Sequence, residues 1–219
     1  MARPSLTREE KKSIMQSLIN SAEDIIKNEG ISKVTIRKVA DLSNVNSAVI
    51  YQFFENRGEL LVFASLDSLR DYCTQLDQQI HDGNGEKTDE EIYEISWDLF
   101  ADFSFNAPEM VEILFFSPFS DKLTHHINVH MDLFPEMYEN LDGDVREMIK
   151  EGNMSRRNLK ILRPVLEGRV TEEEIRRIND LTVSYYYYLI TYDRESTPQE
   201  KKKKMIEALE FLIKKPFSV

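Results

Sequence analysis

Residues 35–54 read TIRKVADLSNVNSAVIYQFF, and this stretch decides the fold. Thr35 opens a short helix, and Asn46 is placed to cap a second one. Asn44 stands between the two helices, and after Gly it is among the residues most tolerant of a positive φ. Two short helices joined by a tight turn are typical of a helix-turn-helix, whose second helix enters the major groove of DNA.

The segments around this stretch predict further helices. Before it, apolar residues recur at helical spacing, and Gly30 follows at the place of a C-terminal cap. After it, Asn56 with Glu59 three residues later predicts the start of another helix. We expect a compact unit over residues 1–60 and a longer helical one over residues 61–219.

The run from Gly30 to Leu60 resembles the head of TetR-family regulators, whose usual pattern is G…T…IA…AGVS…Y…F…K…EL. The residues that match at the same spacing are Gly30, Thr35, Val39, Ala40, Val45, Tyr51, Phe54, Arg57, Glu59 and Leu60. Departures are Asn44 in the turn, Ala48 for a common Gly, and Phe53 for a His or Tyr. The resemblance covers about the first quarter of the chain. It implies an all-α protein with a three-helix helix-turn-helix DNA-binding head and a larger helical-bundle domain for ligand binding and dimerisation.

The same resemblance implies roles for individual head residues. The candidate DNA-binding residues are Thr35, Arg37, Lys38, Asn46, Ser47, Ala48, Tyr51, Gln52 and Arg57. Tyr51 and Arg57 are expected to donate to phosphates, Arg57 with help from a helix N-terminus. Gln52 can pair with adenine, and the methyl group of Ala48 can touch thymine.

Other interpretations of these residues stay open. Tyr51 is also compatible with a half-buried place in the core, and Arg37 and Lys38 with ordinary solvated positions. Thr35 and Asn46 cap helices whether or not DNA is bound. Arg3 is a further candidate, for the minor groove.

Composition favours long helices and an uneven charge distribution. The 219 residues include only seven Gly and seven Pro, few for a protein with many tight turns. Residues 1–60 hold nine Lys and Arg against eight Asp and Glu, whereas the remainder holds 19 against 31. This asymmetry fits a head that tolerates phosphate and a body that avoids it. Cys73 is the only cysteine, which excludes an intrachain disulfide.

The body has a helical pattern and many aromatic residues. The pairs Thr88 and Glu91, Thr171 and Glu174, and Thr197 and Glu200 each predict a helix start. Of 22 aromatic residues, 19 follow residue 60. Such stripes are usually plain core, but the resemblance implies that some line a ligand cavity. The candidate pocket residues are Tyr93, Trp97, Phe100, Phe103, Phe116, His130, Met131 and Phe134.

The last two predicted helices carry the expectation of a homodimer. Apolar and aromatic residues alternate at spacings of four and three, which is typical of a helix-packing seam. The candidate interface residues are Ile178, Thr182, Tyr185, Leu189, Tyr192, Leu209 and Leu212. Pairing with symmetry mates would give a four-helix bundle, as the resemblance also implies. A role inside one chain is the alternative.

We therefore expect a homodimeric transcription regulator that binds a pseudo-palindromic operator in double-stranded DNA. It is expected to be a repressor released by a small apolar or amphipathic effector. The alternative is a DNA-binding protein of the same fold that acts through a protein partner without an effector. An enzyme is not expected, because no nucleophile–base set or Gly-rich phosphate loop is present.

Three further expectations concern cofactors and location. His126 and His130 stand four residues apart, but without a cysteine or a clear acidic partner they do not predict a metal site. We predict no metal and no cofactor. The first 16 residues lack the apolar core of a signal peptide, and no apolar run is long enough to cross a bilayer. We therefore expect a soluble cytoplasmic protein without membrane contact.

Overall fold

The computed structural model describes residues 6–82 and 85–214, and within these ranges helices are the regular structure and no β-strand occurs. The α-helices are α1 (Arg8–Glu29), α2 (Ile36–Leu42), α3 (Ser47–Ile50), α4 (Arg57–His81), α5 (Asp89–Asn106), α6 (Pro108–Phe115), α7 (Leu123–Leu133), α8 (Gly143–Lys150), α9 (Met154–Leu166), α10 (Glu172–Thr191) and α11 (Pro198–Lys214). The predicted all-α class is confirmed.

Helix starts follow the local capping chemistry of the sequence. Ahead of α5, Thr88 Oγ1 accepts from the backbone N–H of Glu91 at 3.3 Å, and the Glu91 carboxylate accepts from the N–H of Thr88 at 2.8 Å. The same reciprocal pair opens α10 and α11, as predicted. Thr7 and Glu10 form one more such pair ahead of α1. Each pair satisfies two backbone donors that a helix N-terminus otherwise leaves unpaired.

The first three helices pack around one small core. Leu18, Ala22 and Ile25 of α1 are buried together with residues of α2 and α3. Gly30 ends α1 with φ of 93° and ψ of 158°, a combination open to Gly alone. The chain thus reverses directly into the helix-turn-helix.

Helix α4 joins this head to the body. Its 25 residues extend about 37 Å at 1.5 Å per residue. The expected boundary between residues 60 and 61 lies inside its first turns, so α4 is shared by both units. Additional ties cross the junction: Gln16 Nε2 donates to the Leu133 carbonyl at 2.6 Å, and Lys27 pairs with Asp67 at 3.0 Å.

The body is a bundle with α5 near its centre. Helix α5 packs on α4, α9 and α11, and α10 packs on α9 and α11. Trp97, Phe100 and Tyr186 meet in its interior with ring centroids 5.4–5.8 Å apart. None of the helices in the described ranges combines the length and apolar content that a membrane crossing needs.

Candidate nucleic-acid interface and effector site

The turn of the helix-turn-helix has the geometry that its sequence predicts. Asn44 has φ of 54°, and among the described non-glycine residues it alone has a positive φ. Thr35 Oγ1 accepts from the N–H of Lys38, at the start of α2. Asn46 Oδ1 accepts from the N–H of Ala48 at 2.9 Å, at the start of α3. Both predicted caps are present, so side chains within the motif fix the two helices.

Helix α3 and the turn that follows it present polar and small side chains outward. Ile50 is buried and anchors the helix, whereas Ala48, Tyr51 and Gln52 are exposed and Ser47 is partly exposed. The Tyr51 side chain is 58% exposed, so Tyr51 is not a core aromatic. Its hydroxyl and the Gln52 amide stand on the surface that a major groove would meet.

Arg57 starts α4 but faces the protein. Its Nε donates to the Val34 carbonyl at 2.5 Å, and Nη2 donates to the Ile31 carbonyl at 3.2 Å. These bonds hold the N-terminus of α4 against the segment that precedes α2. The expected phosphate contact of Arg57 therefore has to be made by donors that these carbonyls leave free.

The remaining basic candidates differ in how firmly they are held. The Arg37 side chain is 90% exposed and lies 3.9 Å from Asp41, a weak surface pair. Lys38 forms an ion pair with Glu29. Arg37 is thus the cation on α2 most available to a phosphate. Arg3, the minor-groove candidate, lies outside the described residues.

Three of the predicted pocket residues lie close together, but they are part of the hydrophobic core of the body. Tyr93, Trp97 and Phe100 of α5 are buried. The Tyr93 hydroxyl and Trp97 Nε1 approach Asn158 Oδ1 at 3.3 and 2.9 Å. The polar atoms expected to orient a ligand are thus bonded to α9.

The other five predicted pocket residues pack into different parts of the body. His130 Nδ1 is 2.8 Å from the Tyr138 hydroxyl, and its ring packs on Phe134. Burial lowers the pKa of His130 to about 4, which leaves it neutral at physiological pH. Phe116 packs on Tyr187, with ring centroids 4.8 Å apart. The remaining two, Phe103 and Met131, are partly buried against the core. Phe103 lies beside Phe100, with ring centroids 6.1 Å apart, whereas His130 and Phe134 form a separate pair. The eight residues do not line one cavity.

A cleft of about 650 Å³ opens instead between α4, α5, α8 and α9. Its apolar lining consists of Leu76, Ile80, Ile92, Val145, Met148, Ile161 and Pro164. Behind it is a small chamber of about 20 Å³, which Trp97 and Phe100 help to line. Ser96, Met148 and Ile161 line both spaces, so the cleft and the chamber adjoin.

Comparison with known proteins gives a family for the head. Residues 18–62 match the family model described as "Bacterial regulatory proteins, tetR family". The head is a TetR-family domain. The family is described as one of regulatory proteins, which agrees with the prediction of a regulator and not of an enzyme. A comparison with curated proteins found no match.

Solved TetR-family structures are similar in fold to nearly the whole chain. FadR from Thermus thermophilus, a TetR-family transcriptional repressor in complex with lauroyl-CoA, superimposes with a TM-score of 0.60 at 12% identity. The match covers 94% of this chain and 96% of FadR. RolR in complex with resorcinol gives a TM-score of 0.57 at 17% identity, with 97% and 99% of the two chains covered. The TetR-type arrangement of head and body therefore extends over nearly the whole chain.

The expected dimer seam lies partly inside this TetR-like body. Ile178, Thr182 and Leu189 of α10 are buried within the chain, and so is Leu209 of α11. Leu212 is half-buried. The tyrosine run at residues 185–188 points around most of the circumference of α10, and packing on α9 and α11 covers one side of the helix. These residues fill the intramolecular role that was the alternative.

A second stripe of α10 remains on the surface. Leu181, Tyr185, Tyr188 and Tyr192 follow at spacings of four, three and four residues, and we call them the tyrosine face. The rings of Tyr188 and Tyr192 are stacked with centroids 6.4 Å apart, and Tyr192 is 64% exposed. Two predicted interface residues, Tyr185 and Tyr192, belong to this face.

His126 connects the body with the start of α4. Its Nε2 lies 3.0 Å from Glu59 Oε1, and its ring packs edge-on against Phe63. The second carboxylate oxygen of Glu59 accepts from the N–H of Glu55, one residue before the partner that a capping box would use. His126 and His130 thus have different partners, and no group of metal-binding side chains occurs in the described ranges.

A buried polar network of α9 and α10 was not anticipated. Asn158 Nδ2 donates to Asn179 Oδ1 at 2.9 Å, and Asn179 Nδ2 donates to Ser155 at 2.8 Å. Arg157, beside Asn158, is also buried. A sequence signal existed, because Arg157 and Asn158 occupy positions of the stripe that Met154 and Leu162 otherwise make apolar.

Proposed function

We propose that this chain is a homodimeric, sequence-specific DNA-binding transcription regulator, a repressor that a small apolar or amphipathic ligand releases. The observation that carries the DNA-binding part is the exposed surface of α3. Ala48 stands outward on α3, whose N-terminus is capped, and Tyr51 and Gln52 stand outward in the turn directly after it. Asn44 fixes the turn before α3. The TetR-family match of the head supports the same function. Binding to chromosomal DNA makes the cytoplasm the expected location.

Contacts to DNA divide into positioning and reading. Tyr51 and Arg37 are proposed to donate to phosphates, with Thr35, Lys38 and Arg57 around them. Ser47, Ala48 and Gln52 are proposed to meet base edges, Gln52 at adenine and Ala48 at a thymine methyl group. Asn46 positions α3 through its cap.

The tyrosine face is proposed to pair with its copy on a second chain. A two-fold dimer brings two heads to the two halves of a pseudo-palindromic operator. Exposed aromatic side chains in one row are the kind of surface that an interface between copies covers. Tyr185 and Tyr192 keep their predicted role, and Leu181 and Tyr188 join them.

Ligand response is proposed to pass through α4. Leu76 and Ile80, near its C-terminus, line the cleft, and its N-terminus is held to the head by Arg57. A ligand that fits the cleft better in one orientation of α4 shifts the population of head spacings. The rival without an effector would be favoured by a body with no cleft of ligand size.

Salt dependence of DNA binding tests the proposal without knowledge of the operator. The logarithm of the affinity falls with the logarithm of salt concentration, with a slope of about −0.9 per phosphate contact. On a duplex of random sequence, Arg37→Ala should flatten this slope by about one unit per head in a fluorescence-anisotropy titration.

The matched control is Arg177→Ala. Arg177 is another exposed arginine with a carboxylate neighbour on its own helix, but it lies on α10 in the body. This variant should keep the wild-type slope. If both variants kept it, the placement of the phosphate contact on α2 would be wrong.

A further inference from the structure

Arg157 of α9 is a buried cation without a carboxylate partner. Its residue is 4% exposed, and no ion pair to Arg157 occurs within the described ranges. Nε donates to the Glu151 carbonyl at 3.0 Å, and Nη2 donates to the Ile149 carbonyl at 2.9 Å. Nη1 is buried and has no hydrogen-bond partner. Arginine keeps its charge in proteins, so this donor cannot be relieved by loss of a proton.

The surroundings of Arg157 offset its charge only in part. The two carbonyls belong to the C-terminal end of α8, where the helix dipole is negative. The guanidinium carbon lies 5.3 Å from the centre of the Phe115 ring, a cation–π contact. Its neighbour Glu151 is engaged elsewhere, with Arg156 and with the N–H of Asn153. An anion is the partner that this arrangement lacks.

Arg157 lines the small chamber behind the cleft. At about 20 Å³ the chamber holds about one water molecule, so a ligand group enters it only if the lining side chains move. Met148, which lines both spaces, has a flexible side chain that adapts to a new neighbour. Cleft and chamber then form one site, with an apolar wall leading to a single buried cation.

The rim of the cleft limits the charge of the ligand. The rim carries more negative than positive side chains. Its five carboxylates are Glu86, Asp89, Asp142, Asp144 and Glu147, and its two lysines are Lys87 and Lys160. Such a rim repels a ligand with several negative charges. Among anions, one with a single negative charge on a long apolar body passes this rim at the lowest electrostatic cost.

We propose that the effector is an apolar monocarboxylate whose body lies in the cleft and whose carboxylate binds Arg157. This inference rests on the proposed function, because it specifies the ligand of the proposed regulator. The carboxylate accepts from Nη1, and the apolar body packs on Leu76, Ile80 and Ile161. Binding moves Met148 and changes the contacts of the α4 end that Leu76 and Ile80 occupy.

Trp97 provides a direct readout, because it lines the chamber and is the single tryptophan of the chain. Decanoate and decanol, titrated separately into the full chain, differ in the group that reaches Arg157. The change in tryptophan fluorescence should show decanoate binding at least about ten-fold more tightly, as expected for a charge-assisted hydrogen bond. Equal affinity for the acid and the alcohol would overturn the proposal.

Substitutions at two arginines test whether the preference for the acid depends on Arg157. Arg157→Met should abolish the preference for the acid while decanol still binds, and Arg156→Met, at the exposed neighbouring arginine, should leave it intact. A preference that survives Arg157→Met would overturn the assignment. If that variant fails to fold, the acid–alcohol comparison in the wild-type chain and Arg157→Lys, which should reduce the preference, decide the question.

Failure of this inference can be told from failure of the proposed function. DNA affinity is measured first in the absence of any ligand. Intact DNA binding with no acid preference removes the carboxylate site and leaves the regulator. Acid binding by a chain that does not bind DNA leaves the site and removes the regulator.

Discussion

Asn44 has a backbone conformation that most residues avoid. A left-handed conformation costs an L-residue with a Cβ about 1–2 kcal/mol, less for Asn and nothing for Gly. The residue type alone therefore indicates the turn. Its neighbours follow from equally local chemistry, because a cap needs only a side-chain oxygen two or three residues before a free N–H.

Asn44→Ala should lower the free energy of unfolding by about 1 kcal/mol, because Ala has no polar side chain to support a φ of 54°. Asn44→Gly should match or slightly exceed the wild type. Urea denaturation followed by circular dichroism measures both. Equal stability of the Ala and Gly variants would mean that the turn does not require a positive φ.

At the scale of helices, the residues at which helices begin could be predicted from the sequence, but the neighbouring helices against which they pack could not. The Thr and Glu pairs ahead of α5, α10 and α11 act within four residues, so the sequence suffices. The side of α10 that is buried depends on where α9 and α11 lie, because the tyrosine run at residues 185–188 points around most of that helix. Tyr186 and Tyr188 are the same residue type, yet Tyr186 is buried and Tyr188 is exposed, because tertiary packing places one inside and the other outside.

The contact of α1 with α4 contains a titrating group that the sequence did not reveal. Burial is the main cause that raises the pKa of Glu23 to about 7, and the nearby Asp67 carboxylate raises it further. The positive charges of Lys27 and Arg70 lower this pKa and offset part of the rise. Between about pH 4.5 and 7, Glu23 therefore keeps its proton in the folded chain and has lost it in the unfolded chain. Stability should fall as pH rises through this window and level off above it.

Glu23→Gln removes this loss, because an amide does not ionise. Above pH 7 the variant should be more stable than the wild type by about 3 kcal/mol, at roughly 1.4 kcal/mol per pKa unit, and the difference should vanish near pH 4.5. Thermal unfolding across this pH range measures it. Asp24→Asn, at the exposed neighbouring carboxylate that contributes least to the raised pKa of Glu23, should keep the loss of stability across this window. A parallel profile for Glu23→Gln would show that Glu23 ionises freely in the folded chain.

At the scale of the whole molecule, the proposed dimer makes the tyrosine face the surface to disrupt. Leu181→Glu with Tyr188→Glu places two charges in the proposed interface, so the mass in solution should fall from that of a dimer to that of a monomer. Light scattering after size exclusion measures it. Leu42→Glu, at a leucine of the head that is 56% exposed, is the control and should remain dimeric. A dimer that survives the double change would place the interface elsewhere.

The most direct test of the central claim is sequencing of DNA fragments that the purified chain selects from a random pool. We expect an inverted repeat with half-sites about one helical turn apart, or a multiple of it, because two copies of α3 must enter grooves on one face of the duplex. Gln52→Ala should still select a repeat but relax one base in each half-site, symmetrically. Fragments without a shared motif, or a motif without two-fold symmetry, would contradict a dimeric sequence-specific regulator.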